Sequence, residues 1–250
     1  MRFLLLISVV ASLVYLGGCA GVADMQDNPD AEVHYNMGVS YLKEPNPAMA
    51  LKCFLDAEKI APRDPKIHDA LAQAYMMKMA YDKAEESFKR ALELSNNGPK
   101  YLNNIAAMYL TLERYNEAID YFERAAQDLM FDQPELSYVG KGYAHYKLHN
   151  YLDAVAAYDR ALEFNPRYAL AHYRLGEAYF ELGKTSLAKS AYDRAIALAP
   201  NSAVVYYRKG IAEVKMRQVD DAKKSFRQVV KLDPEGKYGR QAADYLKILK

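Results

Sequence analysis

From residue 31 onward, small, aromatic and apolar positions return at intervals of three and four, not in the strict alternation of a half-buried strand. One small position reads Gly38, Ala72, Ala106, Gly142, Gly176 and Gly210, with spacings of 34, 34, 36, 34 and 34 residues. Three residues on stand Tyr41, Tyr75, Tyr109, His145, Tyr179 and Glu213. Nine further on stand Ala50, Ala84, Ala118, Ala154, Ala188 and Ala222, and four after those Phe54, Phe88, Phe122, Tyr158, Tyr192 and Phe226. A second small position closes each period at Ala57, Ala91, Ala125, Ala161, Ala195 and Val229. Steps of three and four lie on one face of a helix, so each period predicts two helices, A and B. The small residues let A and B approach closely, and the rings fill the wedge between one period and the next. Pro62, Pro166, Pro200 and Pro234 follow helix B, with Asn96 and Met130 in the other two copies. A proline there stops helix B and suits the first turn of the next helix A.

The pattern resembles the tetratricopeptide repeat, a pair of antiparallel helices per 34 residues. The resemblance implies an all-α, right-handed superhelical solenoid of six repeats at 31–64, 65–98, 99–132, 135–168, 169–202 and 203–236. Tyr238, Ala242, Tyr245, Leu246 and Leu249 continue at helical spacing, so residues 237–250 read as a capping helix over the last repeat. Glu213 and Val229 depart from the consensus as expected of a terminal copy with no seventh repeat behind it. The two extra residues fall between repeats 3 and 4. There Asp132 and Glu135 have capping-box spacing with Pro134 in the first turn, so helix A of repeat 4 is expected to start at that point. Leu129, Met130 and Phe131 precede it, either packed into the repeat junction or exposed as a secondary apolar patch for a partner.

The first 18 residues have a different pattern. Arg2 precedes an apolar run from Phe3 to Leu16, shorter than the roughly 20 residues of a transmembrane helix and suited to a secretory signal peptide. Leu16-Gly17-Gly18-Cys19 resembles the bacterial lipobox. That resemblance implies cleavage before Cys19 and a covalent lipid on its thiol, the one cofactor-like group expected. Ala20 after the cysteine, not Asp, favours the outer membrane. Residues 19–30 then read as the lipidated cysteine and a short tether with no pattern. Cys53, the other cysteine, lies in an apolar helical pattern and reads as a buried, inert thiol.

Composition removes several function classes. A net charge of +1 gives no electrostatic footprint for nucleic acid. With 51% hydrophobic residues the chain is not a disordered one. No phosphate loop is present; Gly140-Lys141-Gly142 falls inside a helix and follows no strand. His145 and His149, four apart, are placed on one helix face, but no third ligand is near, so no metal is expected. No nucleophile elbow or acid pair appears, and neither catalytic residues nor a small-molecule substrate are expected. Twenty-two tyrosines against no tryptophan are explained by the repeats.

In tetratricopeptide folds the A helices line a concave face. Transferred by register, that face receives Tyr35, Val39 and Leu42, then Asp69, Gln73 and Met76, then Asn103, Ala107 and Leu110. The later repeats contribute Val139, Tyr143 and Tyr146, then Tyr173, Glu177 and Phe180, then Tyr207, Ile211 and Val214. The partner-binding residues expected are Asn103, Tyr143, Tyr146, Tyr173, Phe180, Tyr207 and Ile211, since tyrosine offers large rigid area with a polar tip. Tyr35 and Val39 stand where a carboxylate clamp would need Lys and Asn, so an extended or helical peptide read through side-chain pockets is the expected ligand.

The lipobox, the six repeats, Leu102-Asn103-Asn104 opening repeat 3, the insertion after repeat 3 and the connection Leu129-Met130-Phe131-Asp132-Gln133-Pro134 together are similar to the type IV pilus biogenesis lipoproteins, the secretin pilotins. Two departures stand out: Phe131 is three residues before Pro134 where the family has a ring close to Pro, and Lys141 replaces Asn before the repeat-4 glycine. The resemblance implies a lipid-anchored protein on the periplasmic face of the outer membrane, binding secretin subunits and assisting their assembly. The alternative is a general envelope scaffold that recruits peptidoglycan enzymes or a protease.

Overall fold

The computed structural model describes Met25 and residues 28–249. The signal peptide, Cys19 and most of the tether lie outside the described residues. Thirteen α-helices and no strand are present among the described residues. Repeat 1 holds α1 (Pro29–Lys43) and α2 (Pro47–Ile60), repeat 2 α3 (Pro65–Met77) and α4 (Tyr81–Leu94), and repeat 3 α5 (Pro99–Thr111) and α6 (Tyr115–Gln127). Repeat 4 holds α7 (Pro134–Lys147) and α8 (Tyr151–Phe164), repeat 5 α9 (Ala169–Glu181) and α10 (Thr185–Leu198), and repeat 6 α11 (Ala203–Lys215) and α12 (Val219–Leu232). The last helix is α13 (Lys237–Ile248). None of the helices among the described residues is long and apolar enough to cross a membrane.

Each helix packs against the next in the chain, and each A helix also touches the following A helix, from α1 on α3 through α9 on α11. The A layer is therefore the tighter, inner side of the curve, and the molecule is an all-α solenoid of tetratricopeptide repeats. The glycines show why the period needs small residues. A Cβ on Gly142 would lie 2.6 Å from the Tyr158 ring of its own repeat, while one on Gly140 would strike Phe122 of the repeat before. The sequence Gly140-Lys141-Gly142 is thus a packing device between two rings.

The A-to-B turns repeat as well. Met79, Glu113, His149, Gly183 and Arg217 all have φ between 57° and 73°, and the N–H that follows each bonds back to the carbonyl five residues earlier, as Ala80 does to Tyr75. This is the left-handed helix cap that favours glycine, and four of the five positions carry another residue. His149 is therefore in a turn and not on the face of α7 with His145, which corrects the placement read from the spacing.

Other corrections concern the ends of helices. The N-cap of α7 is Gln133 with no side-chain cap, so Asp132 and Glu135 form no capping box; the Glu135 carboxylate instead accepts from Asn165. Pro62, Pro166, Pro200 and Pro234 stop helix B but lie in the turns. The prolines in first turns are Pro29, Pro47, Pro65, Pro99 and Pro134.

At the C-terminal end α13 covers repeat 6. Tyr245 stacks on Phe226 at 4.8 Å, and Tyr238 and Leu246 join the same core. Glu213, which departs from the consensus in this last copy, is buried. It is 1% exposed, with the Ser225 hydroxyl donating to it at 2.6 Å and Lys189 and Lys209 each at 3.8 Å. Burial pushes its carboxyl up despite those partners. At the other end the tether is not featureless. Met25 is buried against the first repeat, and its N–H donates to Asp64 Oδ2 at 3.2 Å. Cys53 is buried.

Candidate functional site

The concave face divides into two halves. Over repeats 1–3 it holds two open depressions. One, of about 320 Å³, is lined by Gln73, Met76, Phe88, Asn104, Ala107, Met108 and Thr111. The other, of about 450 Å³, is lined by Tyr35, Val39, Leu42, Lys43, Ala70, Gln73 and Met77. Gln73 stands between them. Methionine is flexible and polarisable, which suits a surface that adapts to a ligand side chain.

The floor of this half is pinned by hydrogen bonds from one A helix to the next. Asp69 is buried and accepts from Gln73 Nε2 at 3.0 Å and from Asn104 Nδ2 at 2.8 Å. Burial raises its carboxyl pKa, and Asn104, Lys100 and Gln73 only partly offset that. Asn103 accepts from the buried Ser137 hydroxyl at 2.9 Å. One acceptor oxygen of Asn103 is thus committed to the floor.

Over repeats 4–6 most of the same register positions fill one another, although Tyr173 also lines a smaller depression of about 200 Å³ with Leu170, Ala199, Val204 and Val205. The Arg174 guanidinium lies 4.6 Å from the Tyr143 ring and 5.5 Å from the Tyr173 ring, within cation–π range. Glu177 is buried between the Tyr192 hydroxyl, which donates to it at 2.6 Å, and Arg208 at 3.0 Å. Arg208 also bonds Tyr173, and the nearby Glu177 carboxylate raises its pKa against the opposing effect of burial. Lys215 sits 4.7 Å over Phe180. The Tyr146 ring packs on Tyr151, and burial, with Glu177 and Glu181 beyond it, pushes its hydroxyl up to about 12.

The sequence-derived residues are therefore placed unequally. Tyr143, Tyr146, Tyr173 and Phe180 are half-buried on the inner face, each with a partner of its own. Tyr207 contacts Phe226, Tyr238 and Tyr245, and Ile211 joins the same cluster, so both are packed at the junction with α13. Asp69, Val139 and Glu177 are buried. Leu129 and Met130 are fully out in solvent, while Phe131 is half-buried; this is the exposed alternative, not the packed one. Lys43, Met77, Asn104 and Thr111 also line the depressions and were not singled out, because the transferred register omitted the neighbouring positions. Among the described residues no group of three or more His, Cys, Asp or Glu could hold a metal ion.

Family models described as tetratricopeptide repeat match residues 64–128, 139–203 and 203–235, together well over half of the chain. No protein of curated function matches the sequence significantly. Among solved structures, PilW, described as a widely conserved type IV pilus biogenesis factor, superposes with a TM-score of 0.77 at 20% identity, covering 85% of this chain and 98% of its own. PilF of Pseudomonas aeruginosa gives 0.74 at 19% identity, covering 86% and 98%. YrrB, described as a TPR protein with an unusual peptide-binding site, gives 0.59 at 20% identity, covering 76% and 97%. At such identities the likeness is one of fold. That fold is typically a non-catalytic scaffold for protein or peptide partners. The helix pairs, their period and these matches together make the chain a tetratricopeptide-repeat protein with structural similarity to type IV pilus biogenesis factors.

Proposed function

We propose that the protein is a lipid-anchored, non-catalytic binding protein that assists assembly or stability of the type IV pilus secretin in the outer membrane. The observation that carries this reading is the superposition on PilW and PilF over nearly their whole length, extended by the lipobox at Cys19. The acyl chains on Cys19 hold the solenoid at the periplasmic face. The concave face then takes a segment of a secretin subunit. Apolar side chains of that segment enter the depressions beside Met76 and Met77, while the Tyr143–Arg174–Tyr173 array offers a flatter, polar-tipped surface for the rest. Tethering raises the local concentration of the groove at the membrane where secretin subunits must meet.

A deletion strain tests the reading, probed for heat-resistant secretin multimers and for surface pili. Loss of multimers with monomer still present, restored by the wild-type chain, is the expected result. Normal multimers and normal pili would discard the reading in favour of a general envelope scaffold. Cys19→Ala is expected to move the protein out of the membrane fraction.

A further inference from the structure

The helices alternate in direction, so every turn from a B helix to the next A helix lies on one edge of the solenoid. Six such turns include the one before α13. Five have tips of proline or polar residues: Pro62-Arg63, Asn96-Asn97, Pro166-Arg167, Pro200-Asn201 and Pro234-Glu235. The sixth, between α6 and α7, presents Leu129 and Met130, which are 99% and 87% exposed. The turn is internally fixed. Asp128 Oδ1 accepts from the Met130 N–H at 2.8 Å, and the Asp128 carbonyl accepts from the Phe131 N–H at 3.1 Å. Two large apolar side chains are thus held in water at a position where turns ordinarily carry Gly, Pro, Asn, Asp or Ser.

The start of the solenoid lies on the same edge. The Met25 N–H donates to Asp64, which belongs to the turn between α2 and α3. Only five residues lie between Cys19 and Met25, so the six steps reach at most about 20–22 Å. If Cys19 is acylated, the bilayer must come close to this edge.

We propose that the Leu129-Met130 turn is a second, shallow contact with the lipid surface. It rests on the lipid-anchor reading of Cys19 and adds an orientation to it. Two side chains cannot hold a protein on a membrane, since even a single acyl chain binds marginally; their role is to set the tilt. With the B-to-A edge against the bilayer, the helices stand away from it and the concave face opens sideways, free for a partner. Asp128 and Asp132 flank the tip, so anionic lipid repels it weakly, and added salt, which screens that repulsion, does not release the contact.

The test uses the full-length lipidated protein in vesicles of phosphatidylethanolamine and phosphatidylglycerol. One fluorophore is placed at Met130→Cys and, in a second sample, at Met79→Cys. Met79 is 72% exposed in an A-to-B turn on the opposite edge, and the buried Cys53 is not labelled. A lipid-borne quencher should act on the label at 130 roughly threefold or more above that at 79, with aqueous iodide showing the reverse and added salt diminishing neither difference. Adding Leu129→Asp should expose the label at 130 to iodide while leaving the protein on the vesicles. Equal iodide quenching at both sites on vesicle-bound protein overturns the proposal and leaves the lipid anchor intact. Shielding of 130 from both quenchers overturns it too, and assigns the turn to a second copy of the chain. Protein that floats free of vesicles with Cys19 present overturns the anchor reading and this one with it.

Discussion

The inner surface of repeats 1–3 and that of repeats 4–6 use the same register positions to opposite ends. In the first half Gln73, Met76, Ala107 and Met77 leave depressions that another molecule's side chains can enter. In the second, Tyr143, Arg174, Tyr173, Glu177 and Arg208 satisfy one another, and Tyr207 lies against α13. Aromatic content alone therefore does not mark a binding half. A ring with a cation over it and a carboxylate behind it is already partnered, whereas a methionine with no partner atoms above it has contacts still to gain. Both halves bury carboxylates, Asp64 and Asp69 in the first and Glu177 and Glu213 in the second, but those of the second half face cations, Arg208 for Glu177 and Lys189 and Lys209 for Glu213.

The sharpest way to break this comparison is Arg208→Met. It leaves Glu177, 6% exposed, without its cation, and should lower unfolding stability by about 3 kcal/mol in denaturant titration. A change near zero would mean the network contributes nothing to the second half. Ala118→Leu tests packing in the first half. Ala118 is fully buried where α6 meets its neighbours, and the added bulk should cost roughly 1–3 kcal/mol; an unchanged melting temperature would show room where the fold implies none.

Glu213→Gln tests the buried carboxylate. Because the native pKa of Glu213 is raised by burial, wild-type stability should fall as pH climbs from the ordinary value of 4.5 through the raised native one, and should not recover above it. The glutamine variant should have a flatter profile in melts across that window, and an identical profile would remove Glu213 from the account. The smallest effect is expected at the turns. Glu113→Gly replaces a residue at φ 57° and should stabilise by about 0.5–1 kcal/mol, a shift of a few degrees at most in the melt.

The period made the helix pairs legible in the sequence, because Gly38, Ala50, Phe54 and their counterparts recur at steps that only stacked helices use. The local partners of the inner face were not legible. Asn104 reaches Asp69 across 35 residues, Ser137 reaches Asn103 across 34, and Arg208 reaches Glu177 across 31. These bonds join one A helix to the next, and a single copy of the repeat contains only one end of each. The available signal was a polar residue where other copies carry an apolar one, as at Asp69 and Glu177. His145 shows the same limit. It stands at the period's tyrosine position, and its buried Nδ1 has no hydrogen-bond partner, a fact that spacing cannot supply.

The central claim is that the open half of the concave face binds a secretin segment. The direct measurement is the affinity of purified secretin subunits for the full chain and for two variants, Met76→Asp and Tyr143→Ala, each checked for wild-type helicity. The account predicts that Met76→Asp weakens binding tenfold or more, about 1.4 kcal/mol, and that Tyr143→Ala weakens it less. Unchanged affinity for Met76→Asp, or a larger loss for Tyr143→Ala, would contradict it.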